Sequence, residues 1–177
     1  AESCQLALTS SMGVGAAIAD EFDRSLPEYD DLKGLRIRIS GCPNSCGHHH
    51  IAGIGLHGVG KKGHGKLAPH YQLHLGGGVD AERAVIGSAK IKIPAKNIPT
   101  AVMEIIKVYR ENRRGEETFN QFVERYGRDP ISATLEKFTQ LPAPQEAPEF
   151  YRDYNDDRDF SLDDLGPGEC AGTVIDM

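Results

Sequence analysis

Between Met12 and Leu26 apolar side chains fall at Val14, Ile18, Phe22 and Leu26, a spacing that lines them along one stripe of a helix. Ser10 or Ser11 offers a hydroxyl to cap its start, and Pro27 is expected to stop it. The period then changes. Leu35-Arg36-Ile37-Arg38-Ile39-Ser40 alternates apolar with polar, as a half-buried strand does, and hands the chain to a turn at the strand end. Ile51 to Val59 and His70 to Leu75 read as further strands, the second setting Tyr71, Leu73 and Leu75 against Gln72 and His74. The glycine- and lysine-rich Gly60 to Lys66 reads as the hairpin loop between them. Ala84 to Ile93 is expected to be another strand, with Ile91 and Ile93 on one face. Helical spacing returns at Ile98 to Asn112, at Thr118 to Tyr126, where Thr118 and Gln121 form a capping-box pair, and at Pro130 to Phe138 behind an Asp129 cap. This order predicts an α+β fold, a mixed sheet of about four to five strands with helices packed on it.

Composition sets the boundaries. A chain of 177 residues with 39% hydrophobic content supports one core and leaves too little for a second substantial domain. After Leu141 the text changes to Pro-Ala-Pro-Gln-Glu-Ala-Pro and then to an acidic, aromatic stretch from Phe150 to Leu165. Residues 1–141 are therefore expected to form the globular unit and 142–177 an extended tail. Phe150, Tyr151, Tyr154 and Phe160 suit the tail to wrapping another surface, of a further domain or a second chain. A net charge of −6 and a pI near 5.6 argue against nucleic acid as the main partner, which would ask for a basic face. No run approaches the roughly 18 to 20 apolar residues of a membrane span, and no signal peptide opens the chain. Four cysteines fall short of disulfide density, so the expected setting is the reducing cytoplasm.

The chemistry concentrates in Ser40-Gly41-Cys42-Pro43-Asn44-Ser45-Cys46-Gly47, read together with Cys4. Two thiols four residues apart in a turn tightened by glycine and proline, with a distant third, form a ligand pattern for an iron–sulfur cluster rather than a disulfide pattern. A four-iron cluster takes four thiolates, and three of the set are present. Zinc held by Cys4, Cys42, Cys46 and a histidine, or two buried structural thiols, are the readings that compete on residues alone. His48, His49 and His50 follow the turn directly. Neighbouring side chains diverge in regular structure, so three consecutive histidines cannot all face one ion, and the trio reads as polar lining and backbone support.

Cys42-Pro43-Asn44-Ser45-Cys46-Gly47 followed by Ile51-Ala52-Gly53-Ile54-Gly55-Leu56 resembles the second cysteine pair of the sirohaem-dependent nitrite and sulfite reductases. The resemblance is specific over Ser40 to Leu56 and extends in general pattern from Cys4 to about Phe138. In that family the first pair is spaced C-x5-C and precedes a segment similar to Gln5-Leu6-Ala7-Leu8-Thr9. Cys4 would then be its second member, with a partner three residues before Ala1, and the chain would be the C-terminal piece of a longer polypeptide.

The resemblance implies a 4Fe-4S cluster and sirohaem as cofactors, with Cys4, Cys42 and Cys46 as metal ligands and Asn44 beside them. Cys46 would bridge the cluster to the sirohaem iron. Nitrite or sulfite would be the substrate, reduced by six electrons supplied by ferredoxin or a flavoprotein. Catalytic cations would lie upstream of the first cysteine, so none is assigned here, and the chain alone is expected to be inactive. Arg36, Arg38, Lys61, Lys62, Lys66, Lys90 and Lys92 could hold the carboxylate rim of the macrocycle. Cys170 is expected to be incidental. A precorrin monooxygenase-like cluster protein and a non-enzymatic metal-binding or interaction module are the alternatives.

Overall fold

The computed structural model describes residues 4–26, 28, 30–32, 34–81, 83–88, 91–163 and 175–176. Helix α1 (Ser11–Ser25) leads through a short 3-10 turn to strand β1 (Ile37–Ser40), the cysteine turn and a second 3-10 turn, His49–Ile51. Strands β2 (Ile54–Gly63) and β3 (Lys66–Leu75) form a long hairpin, followed by the short strands β4 (Gly78–Val79), β5 (Ala84–Val85) and β6 (Lys92–Pro94). Helices α2 (Ile98–Asn112), α3 (Phe119–Tyr126) and α4 (Arg128–Thr134) come next, and β7 (Ile175–Asp176) closes the order. The main sheet runs β1-β2-β3-β6. β1 is parallel to β2, the β2–β3 and β3–β6 pairs are antiparallel, and β7 adds to the far end of β2 in parallel. A separate two-stranded ribbon joins β4 to β5. This is the expected α+β layer of a mixed sheet under helices.

The core lies between sheet and helices. α2 buries Ile98, Ala101, Val102, Ile105, Ile106 and Tyr109, the three-and-four spacing that puts them on one face. They meet Ile54, Leu56, Tyr71, Leu73 and Leu75 from the hairpin and Val14 and Ile18 from α1. Each large side chain so buried contributes about 1.5 to 3 kcal/mol before chain entropy is counted. Ser10 caps α1 by accepting from the Gly13 N–H at 3.1 Å. Thr118 and Gln121 close the expected capping box on α3.

Four boundaries differ from the sequence reading. The Gly60–Lys66 loop is mostly strand: β2 runs to Gly63 and β3 starts at Lys66, leaving His64 and Gly65 as a two-residue turn with φ of 50° and 79°. Paired left-handed residues of this kind match the twist of a hairpin, and alternation cannot mark strand residues whose side chains are glycine or solvated lysine. Ile51 belongs to the 3-10 turn, and β2 begins at Ile54. Ala84 to Ile93 is not one strand, because β5 pairs with β4 while β6 pairs with β3. Asp129 is not a cap: α4 starts at Arg128 after Gly127 and ends at Thr134, with Glu136–Phe138 continuing as a 3-10 turn. Pro130 sits in that first turn, where its missing N–H is not needed. Pro27, Lys90 and Cys170 lie outside the described residues.

The tail residues up to Asp163 pack on the domain's own surface. Tyr151 is buried and its hydroxyl donates to the Pro142 carbonyl at 2.8 Å. Tyr154 lies under the Lys96 ammonium, 4.1 Å from the ring centroid, and Asp153 accepts from the Ser10 N–H at 2.6 Å. Tyr151 and Tyr154, two of the aromatic side chains expected to cover another surface, thus cover this one.

Candidate metal centre

β1 ends at Ser40, and the chain turns at once through Gly41 to Gly47. The Gly41 carbonyl accepts from the backbone N–H groups of Leu8 at 2.8 Å and Thr9 at 3.0 Å, and from the Thr9 hydroxyl at 3.3 Å. A side chain at Gly41 would meet the Thr9 carbonyl oxygen at 2.6 Å and the Ala7 methyl at 2.7 Å, so glycine permits this close approach. The arm carrying Cys4 is in this way laid against the residue beside Cys42. Ser45 at φ 60° and His48 at φ 55° complete the tight path, and the Ser40 hydroxyl holds the exit by accepting from the Gly47 N–H at 3.1 Å.

None of Cys4, Cys42 and Cys46 is in a disulfide; Cys42 is buried and the other two are exposed, as is Asn44. The Cys4 Sγ accepts from the Leu6 N–H at 3.4 Å. Three sulfur donors on a backbone-locked turn and its docked arm are a donor set that suits iron. They are not, however, the side chains that lie closest together. Among the described residues, the group of metal-ligating side chains that the fold gathers is His49, His57 and His74, whose ligand atoms all lie within 4.8 Å of one another.

That cluster is built by register. His57 on β2 faces Gln72, and His74 on β3 faces Gly55, so the two histidines are diagonal neighbours on one face of the hairpin. His57 Nδ1 lies 2.8 Å from His74 Nε2. Gly55 leaves room above them for the 3-10 turn, since a side chain there would overlap the His49 carbonyl and approach His74 Cβ to 3.2 Å. His49 drops into this space, fully buried, with Nδ1 2.8 Å from the Ser40 hydroxyl. Burial, aided by the neighbouring imidazoles, pushes His49 down to about 3 and His57 down to about 4, and lowers His74 as well. All three are neutral near pH 7 and keep a lone pair. As expected, the consecutive trio does not share one point; only His49 of it joins this group. The period-two placement of His70, Gln72 and His74, set against a histidine on the partner strand, was the one available signal.

The basic residues disperse. Arg36 lines a cleft of about 750 Å³ shared with Gly77, Arg83, Asn120 and Arg128. Arg38 reaches His48 Nδ1 at 3.1 Å, Lys66 pairs with Asp159 at 2.8 Å, Lys61 and Lys62 are exposed, and Lys92 is half-buried.

Residues 2–141 match the family model described as the nitrite and sulphite reductase 4Fe-4S domain. The chain belongs to that family. An assimilatory ferredoxin-dependent nitrite reductase of Haloferax mediterranei is 29% identical over 144 residues, which cover 81% of this chain and 25% of that protein. A sulfite reductase [NADPH] hemoprotein beta-component of Methylobacterium nodulans is 31% identical over 125 residues, covering 70% and 19%. The solved structure of the Mycobacterium tuberculosis NirA protein superposes with a TM-score of 0.64 at 25% identity, over 72% of this chain and 24% of that one. This 4Fe-4S domain thus spans about a quarter or less of the length of these relatives. No helix among its described residues is long and apolar enough to cross a membrane.

Proposed function

We propose that this chain is the cluster-bearing part of a reductase that takes nitrite or sulfite through six electrons, with a 4Fe-4S cluster coupled to sirohaem. The observation that carries the reading is the cysteine turn: Cys42 and Cys46 sit on either side of Asn44, and the Cys4 arm is bonded to the carbonyl of Gly41 between them and the strand. Cys4, Cys42 and Cys46 supply three thiolates, and polypeptide beyond this chain supplies the fourth. Backbone N–H groups of a turn like this donate to cluster sulfur and help set its potential. When bound, the cluster and macrocycle supply single-electron transfer to the anion. Cys46, exposed at the last position of the motif, is the sulfur through which the two centres would be joined. Arg36 lines a cleft of mixed charge, in which Arg83 is paired with Glu124 at 2.8 Å, and its guanidinium suits a single carboxylate group of a ligand. The chain's own residues hold and orient; the groups that grip the anion lie on the remainder of the enzyme, and ferredoxin or a flavoprotein supplies the electrons.

The test is anaerobic purification of the intact polypeptide. We expect a cluster, a chlorin-type absorbance and reduction of nitrite or sulfite by a chemical reductant. Cys46→Ser should lose the cluster and all activity while leaving the circular dichroism of the chain unchanged. An iron-free, colourless product from repeated anaerobic preparations would sink the reading.

A further inference from the structure

Two features of the histidine group are left without a purpose by the cysteine chemistry. His49 Nε2 is buried with no hydrogen-bond partner, and so is Nδ1 of His50, whose ring centroid lies 4.7 Å from that of His74. A buried polar atom left unpaired costs about 1 to 3 kcal/mol. A group that existed only for packing would not converge imidazoles on one another at this expense. From these features we propose that His49, His57 and His74 form a second metal site, which takes Zn²⁺ through three imidazole nitrogens with a water as fourth ligand.

The hydrogen bonds around the group fix which nitrogens are offered. A carbonyl can only accept, so the 3.3 Å contact from His74 Nδ1 to the Gly87 oxygen places the proton on Nδ1 and the lone pair on Nε2, toward the cluster. His49 Nδ1 is engaged by the Ser40 hydroxyl, which leaves its orphaned Nε2 as the ligand atom. Metal-bound imidazoles are typically oriented in this way, with the far nitrogen held by a carbonyl or another polar group. His57, half-exposed, stands at the solvent side, where an ion enters and water completes the shell. The His57–His74 hydrogen bond is exchanged for bonds to the metal.

The chemistry of the donors narrows the ion. Neutral imidazoles with no carboxylate in the group disfavour magnesium and calcium, and with no thiolate in the group they fall short of a soft site. Zinc–nitrogen bonds of about 2.0 to 2.1 Å in a tetrahedron set the nitrogens roughly 3.3 Å apart. The present spread of up to 4.8 Å closes to that with a modest swing of His57, the one ring of the three that is partly exposed. The pKa depression by burial acts in the same direction, since no proton has to be displaced at neutral pH.

The test uses Zn²⁺ on the whole chain carrying Cys4→Ser and Cys46→Ser, which removes the thiols exposed among the described residues as competitors. After loading and dialysis we expect one zinc per chain. Its X-ray absorption should show a nitrogen and oxygen shell with the multiple scattering of three imidazoles, and the melting temperature should rise with added zinc. Absence of retained zinc, sulfur in the first shell, or fewer than three imidazoles overturns the assignment. Because that measurement keeps all three histidines, it does not depend on how well a histidine variant folds. His57→Gln should weaken zinc binding at least tenfold by titration calorimetry, and an unchanged affinity overturns the site. Either result leaves the cluster reading of the cysteines standing.

Discussion

Only Gly47 and His48 separate Cys46 from His49, the first residue of the histidine cluster, yet the two regions are made in opposite ways. The turn is a local motif: its glycines, proline and two thiols are contiguous, and Cys46 is exposed. The cluster takes one side chain from a 3-10 turn and one from each of two long strands, with His49 fully buried, His74 buried and His57 half-exposed at its edge. A pattern written in consecutive residues announces itself before folding. One assembled by strand register exists only once the hairpin has paired.

Ser40 joins the two regions, and removing it is the harshest way to break the contrast. Its hydroxyl meets both the Gly47 N–H and His49 Nδ1. Ser40→Ala strands two polar groups and should cost about 2 to 4 kcal/mol in denaturant unfolding. It should also lower both iron incorporation in the intact polypeptide and zinc retention by the histidines. If just one of the two metals is affected, the regions are not coupled through this hydroxyl.

A smaller effect sharpens the contrast from within β3. His70 lies on the same strand as His74 but outside the cluster, fully buried, with Nδ1 donating to the Ala68 carbonyl at 3.0 Å. Burial pushes it down to about 4. Its unfolded counterpart titrates near 6.5, so between those values the unfolded chain binds a proton that the folded chain refuses, and stability falls as pH drops through the window. His70→Gln should recover up to roughly 3 kcal/mol of that loss, comparing pH 4 with pH 7. An acid limb as steep as the wild type's would show that this imidazole is not the group responsible. Smallest of all, Thr118→Ala removes the capping box of α3 and should cost about 1 kcal/mol while changing neither metal site. A shift in zinc or iron content would mean that the sites respond to general loosening rather than to their own contacts.

What could be read in advance follows the same division. The stripe of α1, the apolar face of α2 and the Thr118–Gln121 box depend on neighbours within one or two turns, and all three are where their spacing puts them. The cysteine turn was visible for the same reason. The length of the hairpin was not, because Gly60 to Gly63 and Lys66 carry no alternation, and their strand character comes from pairing with each other across His64 and Gly65. His57 and His74 read as ordinary polar positions in alternating strands. Their meeting depends on the Gly55–His74 register, and His49 reaches them only because Gly55 has no side chain, facts of tertiary contact that no single stretch encodes.

Asp153 turns the two ends of the described domain into one mechanical unit. Its carboxylate, raised above the usual range by burial, receives the N–H of Ser10, the residue that starts α1 and ends the arm bearing Cys4. Tyr154 packs so tightly over Gly13 that a methyl group there would collide with it. Proteolytic trimming of the acidic stretch after Leu141 would therefore slacken the thiol-bearing arm at the opposite terminus, making the late segment a buttress for Cys4.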